Sequence, residues 1–271
     1  MSVSTTFHPA AQTRGLSPDV TFLTQDNVYF YVHSSILLAG STNHFGGLIP
    51  IDSSEKSTVK IPEIAPVLNI ILHAMYNMSC TAYSPTFRVV QWAIELFPTY
   101  GLEVKTYIAP QTPLFVHLTS FAPLYPIDVY ALAAHHDLED LATVASTNLL
   151  SYQLSDMDDA LVDYIGPLYL RRLFFLHLGR TEAFKRILFP IPPPHPATAE
   201  CDFEQQKSVS RAWQLAATSL AWTARPDMSP SSVESTLASL TEHIECGECR
   251  QALKDRVKDV VVQWAFVKTT I

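Results

Sequence analysis

The sequence predicts an α+β fold in which a short β-sheet flanked by helices is followed by an all-helical region. Residues 19–32 alternate between apolar and polar side chains, as half-buried strands do. Beyond residue 66 the apolar residues recur at three- and four-residue spacing, which is typical of helices. Prolines outnumber glycines by 19 to 8, and they divide the helical part into segments.

The first element is a β-hairpin. Its strands cover residues 19–23 and 28–32, and the intervening Gln-Asp-Asn at 25–27 carries side chains that tolerate turn geometry. Residues 58–61, Thr-Val-Lys-Ile, predict a third short strand that Pro62 stops. The sheet is therefore expected to be small and to lie near the start of the chain.

Helices are expected between and after these strands. Pro66 suits the first turn of a helix that continues to residue 78 with a wide apolar stripe. A further helix fits residues 86–100, which Gly101 ends, and the segment PLFVHLTSF at 113–121 predicts a short one.

The second half of the sequence predicts helices alone. Residues 126–189 fit helical hairpins, with Ser155 as an N-cap and a break at Gly166-Pro167. Residues 190–196, PIPPPHP, form a stiff extended linker because so many prolines permit neither a helix nor a central strand. The helices expected beyond it are residues 203–224, a helix capped by Ser229 with Pro230 at its first position, and residues 250–267.

Composition excludes several classes of function. The chain has 48% hydrophobic and 16% charged residues, a net charge of −8 and a pI near 5.6, so binding to nucleic acid is disfavoured. There is no long uninterrupted apolar run, so no membrane association is expected. Residues 1–17 lack the apolar block of a secretory signal and predict a flexible tail. We therefore expect an intracellular protein, cytoplasmic or nuclear, with reduced cysteines.

The strongest chemical signal is a C-x-x-C motif at Cys246 and Cys249, a spacing that lets two thiolates hold one zinc ion. Cys201 and His195 lie near the proline-rich linker, and His243 lies three residues before the motif. We predict a structural zinc site formed by Cys201, Cys246, Cys249 and His195, with His243 as the alternative to His195. The competing interpretation is three ordinary cysteines near a helix end and in a loop. A redox role is disfavoured because no βαβ pattern surrounds the motif.

Other polar clusters have simpler interpretations. Adjacent residues on a helix point about 100° apart, so His135 and His136 are not expected to share a site, and they indicate a polar helix end. The aspartates within residues 156–159 lack the glycine and the distal glutamate of a calcium loop. Asp19 and His33 are assigned structural roles. No catalytic motif is recognisable, so we do not expect an enzyme.

One resemblance extends these inferences. The segments DVTFLTQDNVYFYVHSSILLAGSTNHFGGLI at 19–49 and IILHAMY at 70–76 resemble a BTB/POZ domain. The phrase PEIAPVLNIILHAMYNMSC and the late C-x-x-C are similar to those of BTB-containing proteins of mushroom-forming fungi. The resulting division is a tail at 1–17, a BTB/POZ-like domain at 18–105, a helical BACK-like region at 106–189, a proline-rich linker at 190–202 and a C-terminal helical region at 203–271.

The resemblance implies a function in protein–protein interaction. BTB domains commonly dimerise and often recruit a cullin-type ubiquitin-ligase scaffold, so the implied partners are proteins, a cullin scaffold or a second copy of the chain. Residues 42–49, 65–78 and 86–100 would supply the docking face. The expected function is a ubiquitin-ligase adaptor or a transcription-associated scaffold. The alternatives are a zinc-stabilised structural or dimerisation protein and, less favoured, an enzyme with a site in the helical half.

Overall fold

The computed structural model describes residues 2–13, 15–49 and 58–271. These residues form an α+β fold, as the sequence predicts, with a four-stranded sheet and otherwise mainly helices. The chain divides into two compact units, Met1–Ala145 and Ser146–Ile271. This division falls within the predicted helical region at 106–189, and the sheet belongs to the first unit.

The sheet contains both predicted hairpin strands and the predicted third strand. Its order is β1-β3-β2-β4, in which β2 and β3 are antiparallel and the two outer strands run parallel to their neighbours. The strands are β1 (Ser2–Val3), β2 (Val20–Leu23), β3 (Val28–Val32) and β4 (Thr58–Lys60). Phe22 pairs with Phe30, so both rings lie on the same, buried face.

The hairpin turn has the chemistry that the sequence indicates. Asn27 adopts a left-handed conformation with φ of 62°, which asparagine tolerates better than most residues. The Thr24 hydroxyl donates to Asp26 at 2.6 Å and accepts from the Val28 backbone N–H at 3.1 Å. These bonds fix the turn and therefore the register of the two strands.

The prediction that residues 1–17 form a flexible tail is wrong for the residues that the structure describes there. Ser2–Val3 adds a parallel edge strand to β3, and the ring of Phe7 is buried 5.1 Å from that of Tyr76. A two-residue strand is too short to show a period of two, so alternation could not reveal it. The segment is held by burial of Phe7 rather than by a sequence pattern.

The described residues of the first unit also form seven α-helices and a short 3-10 helix, Thr81–Tyr83. The α-helices are α1 (Ser34–Gly40), α2 (Ala65–Met75), α3 (Phe87–Glu95), α4 (Val104–Tyr107), α5 (Pro113–Phe121), α6 (Pro126–His135) and α7 (Glu139–Ser146), which reaches the boundary of the second unit. The helix α5 has the predicted bounds, whereas α3 ends five residues before the predicted end at residue 100. Seven consecutive residues of α2, from residue 67 to residue 73, are buried.

The second unit consists of helices. Its α-helices are α8 (Asp159–Leu188), α9 (Phe203–Trp222), α10 (Pro230–Ala238) and α11 (Gly247–Ala265). The predicted break occurs inside α8, where Gly166 has φ of 76° and Pro167 restarts the helix. The predicted N-cap Ser155 is wrong, because the Asp158 carboxylate accepts from the Leu161 N–H at 2.8 Å instead. In the described part of the chain, no helix has the length and apolar character needed to cross a bilayer.

The core of the second unit is built around two tryptophans. The buried indoles of Trp213 and Trp264 donate to the backbone carbonyls of Leu188 (3.1 Å) and Met228 (2.8 Å).

Two buried arginines bond neighbouring segments of the chain to this core. Arg180 donates to the carbonyls at 226, 267 and 268, and Arg256 donates to Pro190 O at 2.9 Å. The second arginine thereby fixes the start of the proline-rich segment.

Candidate metal centre

Four predicted ligands lie together in the second unit. The ligand atoms of His195, Cys201, Cys246 and Cys249 are all within 4.8 Å of one another. The side chain of His243, the predicted alternative, lies outside the described residues. Three thiols and one imidazole form a donor set that suits Zn²⁺, so this cluster can hold a metal ion.

The distances within the cluster fit a tetrahedral ion. Cys201 Sγ lies 3.7 Å from Cys249 Sγ, and His195 Nε2 lies 3.4 Å from Cys246 Sγ and 3.3 Å from Cys249 Sγ. Tetrahedral zinc with bonds of about 2.3 Å to sulfur and about 2.0–2.1 Å to nitrogen separates two sulfurs by about 3.8 Å and sulfur from nitrogen by about 3.6 Å. The sulfur pair is also much too far apart for a disulfide, which needs about 2.05 Å.

The C-x-x-C motif is positioned by the start of α11. Cys246 is the N-cap of this helix and Cys249 lies in its first turn, so both sulfurs face the same side of the helix N-terminus. The motif therefore opens the helix, whereas the sequence predicted that the helix resumes at residue 250. The free N–H groups and the dipole at a helix N-terminus favour negative charge, and thiolates supply it.

The other two ligands come from the segment between α8 and α9. Thr198 and Cys201 form a tight turn, in which the Thr198 N–H donates to the Cys201 carbonyl at 3.0 Å. Asp202 then begins α9 through a reciprocal capping box with Gln205, which the sequence analysis did not identify. Cys201 thus directly precedes a second helix N-terminus.

His195 is oriented by groups outside the cluster. Its Nδ1 lies 2.7 Å from the Pro196 carbonyl and 3.2 Å from Glu248 Oε2, which leaves Nε2 directed at the sulfurs. Metal-binding histidines usually donate their second N–H to a carbonyl or carboxylate in this way, because it fixes the ring and the tautomer. These contacts therefore prepare Nε2 to act as a ligand.

The cluster also shifts the acidity of its groups. The pKa of Cys246 is lowered to about 7, chiefly because the backbone N–H of Cys249 lies against its thiolate. Burial is the main reason that the pKa of Cys249 rises to about 12 and that of Cys201 rises above its usual range. The pKa of His195 is raised, first by its bond to the Pro196 carbonyl. Without a cation, two of the three thiols would therefore keep their protons at neutral pH.

This acidity predicts how metal binding depends on pH. At pH 7 a zinc ion must displace the protons of Cys201 and Cys249 and roughly half of one from Cys246, so we expect release of about two to three protons per ion. The protonated fraction of His195 adds to the number of protons released, because the imidazole must be neutral to bind the ion. The affinity should consequently fall as the pH is lowered from 8 to 6. Calorimetric titration in buffers of different ionisation enthalpy measures the number, and a release near zero would exclude binding by the thiols.

A cavity of about 440 Å³ opens beside the cluster. The three cysteines line it, together with the exposed carboxylates of Glu200 and Glu242. The cavity gives an ion a path from solvent to the thiols, and the carboxylates favour the approach of a cation.

The remaining predicted candidates are structural or form a different group. Asp19 accepts from the Ser34 N–H at 2.7 Å, and the two nitrogens of the His33 ring lie 2.9 Å from Tyr76 Oη and 3.0 Å from the Leu16 carbonyl. The contacts of both residues are local or structural, in agreement with the structural roles that the sequence predicts: exposed Asp19 bonds the start of α1, and buried His33 bonds Tyr76 and Leu16.

The prediction that His135 and His136 cannot share a site is wrong. Their ligand atoms and that of Glu95 lie within 4.8 Å of one another. Glu95 lies 40 residues before His135, so no spacing in the sequence connects the two residues. Only the contact between two helix ends brings these side chains together.

Fold and site together define an α+β protein that carries a Cys3His cluster in its helical unit. Comparisons of this chain with family models, with curated proteins and with solved structures find no match. The function therefore has to be inferred from the residues of this chain.

Proposed function

We propose that the chain is a protein-interaction module without catalytic activity, in which a BTB/POZ-type first unit docks a partner and a zinc-stabilised second unit completes an adaptor. The order of elements in the first unit supports this proposal. A hairpin precedes a short helix, a third strand and a series of helices, which is the order that the BTB/POZ resemblance implies. The proposed role is that of a cullin-type ubiquitin-ligase adaptor or a transcription-associated scaffold.

The observation that carries the proposal is an exposed pair on α3. Arg88 and Trp92 are four residues apart, so they lie on the same face of this helix, and the Trp92 side chain is 47% exposed. Tryptophan and arginine are the residues most enriched at the energetic centres of protein interfaces. The helix also lies within residues 86–100, one of the segments that the resemblance assigns to partner docking.

The structure narrows the docking face that the resemblance implies. Residues 67–73 of α2 are buried, so they cannot offer side chains to a partner. The loop at 42–49 remains exposed for most of its length and is held against the chain after α3. The Ser41 hydroxyl donates to the Tyr100 carbonyl at 2.7 Å, and the Thr42 N–H donates to the Gly101 carbonyl at 2.9 Å. We therefore propose a docking face formed by α3, this loop and the exposed end of the 65–78 segment at Met78.

The metal in the second unit is proposed to be structural. Four protein ligands complete a tetrahedral sphere and leave no position for a substrate, whereas catalytic zinc keeps one position open. The ion would join the segment before α9 to the start of α11, two parts of the chain that are about 50 residues apart. If the first unit serves only dimerisation, the chain is instead a zinc-stabilised structural protein.

Partner capture separates these two functions. We expect tagged full-length protein to recover a cullin scaffold from a fungal extract, as identified by mass spectrometry, and we expect Trp92→Glu to abolish the recovery. Val116→Glu is the matched control, because Val116 is also exposed and lies on α5, outside the proposed face. Recovery of the chain itself alone would leave a dimerisation module and remove ubiquitin transfer. Equal recovery with both variants would exclude the α3 face.

A further inference from the structure

A second group of metal-ligating side chains lies in the first unit, separate from the cysteines. Glu95 is the last residue of α3, His135 is the last residue of α6, and His136 caps that helix. One ligand atom from each lies within 4.8 Å of the other two. We propose that these three residues form a site for a divalent transition metal, with two imidazoles and one carboxylate as protein ligands.

An unsatisfied nitrogen supports this assignment. His136 Nε2 is buried and makes no hydrogen bond within the described residues. It lies 3.5 Å from Glu95 Oε1, beyond the usual length of an N–H···O bond. Around tetrahedral zinc, with bonds of about 2.0–2.1 Å to nitrogen and oxygen, two such ligand atoms are about 3.4 Å apart. A cation bound between His136 Nε2 and Glu95 Oε1 would therefore satisfy the histidine nitrogen at the present separation of the two atoms.

The two histidines converge because the helix ends between them. His136 has φ of −96°, away from the helical value of about −63°, so its side chain leaves the direction that a continued helix would impose. The two rings are 5.0 Å apart and nearly perpendicular, at 84°. Two adjacent side chains can thereby direct their nitrogens to one point.

Local charge favours a cation at this point. Both α3 and α6 end at the site, and the unpaired carbonyls at a helix C-terminus carry partial negative charge. The next acidic residue, Asp137, forms an ion pair with Lys105, so its carboxylate is engaged outside the group. The protein therefore supplies three ligands, Glu95, His135 and His136, and water would complete the coordination of the ion.

The chemistry of this group differs from that of the cysteine cluster. Two nitrogens and one oxygen suit Zn²⁺, Co²⁺, Ni²⁺ or Fe²⁺, and they lack the thiolates that give strong charge-transfer absorption with cobalt. His135 is exposed, so the open position faces solvent. The proposed site is therefore accessible and spectroscopically distinct.

Cobalt titration of the full-length chain carrying a single equivalent of zinc tests the proposal. Thiolate ligands hold this zinc in preference to imidazole and carboxylate, and Zn²⁺ binds a given ligand set more tightly than Co²⁺, so the cysteine cluster keeps its zinc while cobalt fills the second site. We expect one further equivalent of Co²⁺, visible by ligand-field absorption without a thiolate-to-metal charge-transfer band. Glu95→Gln and His135→Gln should each weaken it by more than the roughly 10- to 100-fold that loss of an outer-shell partner costs.

The controls separate this site from other sites on the protein. His44→Asn removes an exposed histidine from outside both clusters, and asparagine suits its left-handed φ of 57°, so cobalt binding should be unchanged. Circular dichroism checks that His135→Gln is folded, which its exposure makes the expected result. The proposal would be overturned if cobalt bound only with a thiolate charge-transfer band, since the ion would then occupy the cysteine cluster alone. It would also be overturned if Glu95→Gln and His135→Gln both bound cobalt as the wild type does.

Discussion

Replacing Cys249 with serine is expected to abolish zinc binding and to destabilise the second unit strongly. Elemental analysis of the purified proteins should find one zinc per chain more in the wild type than in Cys249→Ser. Loss of a structural metal is among the few changes that exceed about 4–5 kcal/mol, which corresponds to a fall in Tm of roughly 10–20 °C. The physical reason is that the ion joins the segment before α9 to the start of α11, which are about 50 residues apart in the sequence.

The fourth cysteine supplies a matched control. Cys80 is buried as Cys249 is, but it lies in the first unit and outside the cluster. Cys80→Ser should keep the zinc content of the wild type and lose only the modest stability of a buried thiol. A strong chelator should lower the Tm of the wild type to that of Cys249→Ser and leave the Tm of that variant unchanged. Equal melting temperatures and equal zinc contents of Cys249→Ser and Cys80→Ser would exclude a structural ion at the cysteines.

A conservative replacement tests the geometry of the same site. Because cysteine can replace histidine in tetrahedral zinc sites, His195→Cys is expected to retain the ion, whereas His195→Asn is expected to weaken it. Such a pattern would show that position 195 acts through coordination, since packing alone would not distinguish these two small side chains.

The sequence predicts those parts of the fold whose residues are local and periodic. The β2–β3 hairpin and α5 follow from alternation, turn residues and an N-terminal proline, all of which act within a few positions. The tail could not be predicted because its strand has two residues and its anchor is the single ring of Phe7. A single side chain buried against a residue far away in the sequence, as Phe7 is against Tyr76, produces no periodic pattern in the sequence.

The cysteine cluster and the group at Glu95 likewise show that the sequence predicts only those ligands that lie at a local, regular spacing. The C-x-x-C spacing indicates a pair of ligands because one helical turn holds both sulfurs, so half of the cysteine cluster is visible in the sequence. His195 could be proposed but not selected over His243 on spacing alone. The sequence indicates a polar helix end at His135 and His136, and α6 does end there, but the group at Glu95 was missed because the two side chains were placed about 100° apart as in a continuous helix. Their approach depends on where α6 ends, and helix ends are the least predictable feature of a helix.

Leu72→Asp is expected to unfold the first unit. Leu72 lies in the middle of α2, is fully buried, and belongs to the run of buried residues at 67–73. The substitution removes a buried leucine and places a carboxyl in its apolar surroundings, so the combined loss should be on the order of 5 kcal/mol or more. Leu124→Asp makes the same chemical change at a side chain that is 74% exposed, and it should alter stability by no more than about 0.5 kcal/mol. Denaturant titration compares the two variants, and the charge-transfer absorption of Co²⁺ bound by the cysteines reports separately on the second unit, since these ligands all lie beyond residue 145. Equal stability of both variants would show that α2 is not packed as described, and the argument that residues 67–73 cannot contribute to the docking face would then fail.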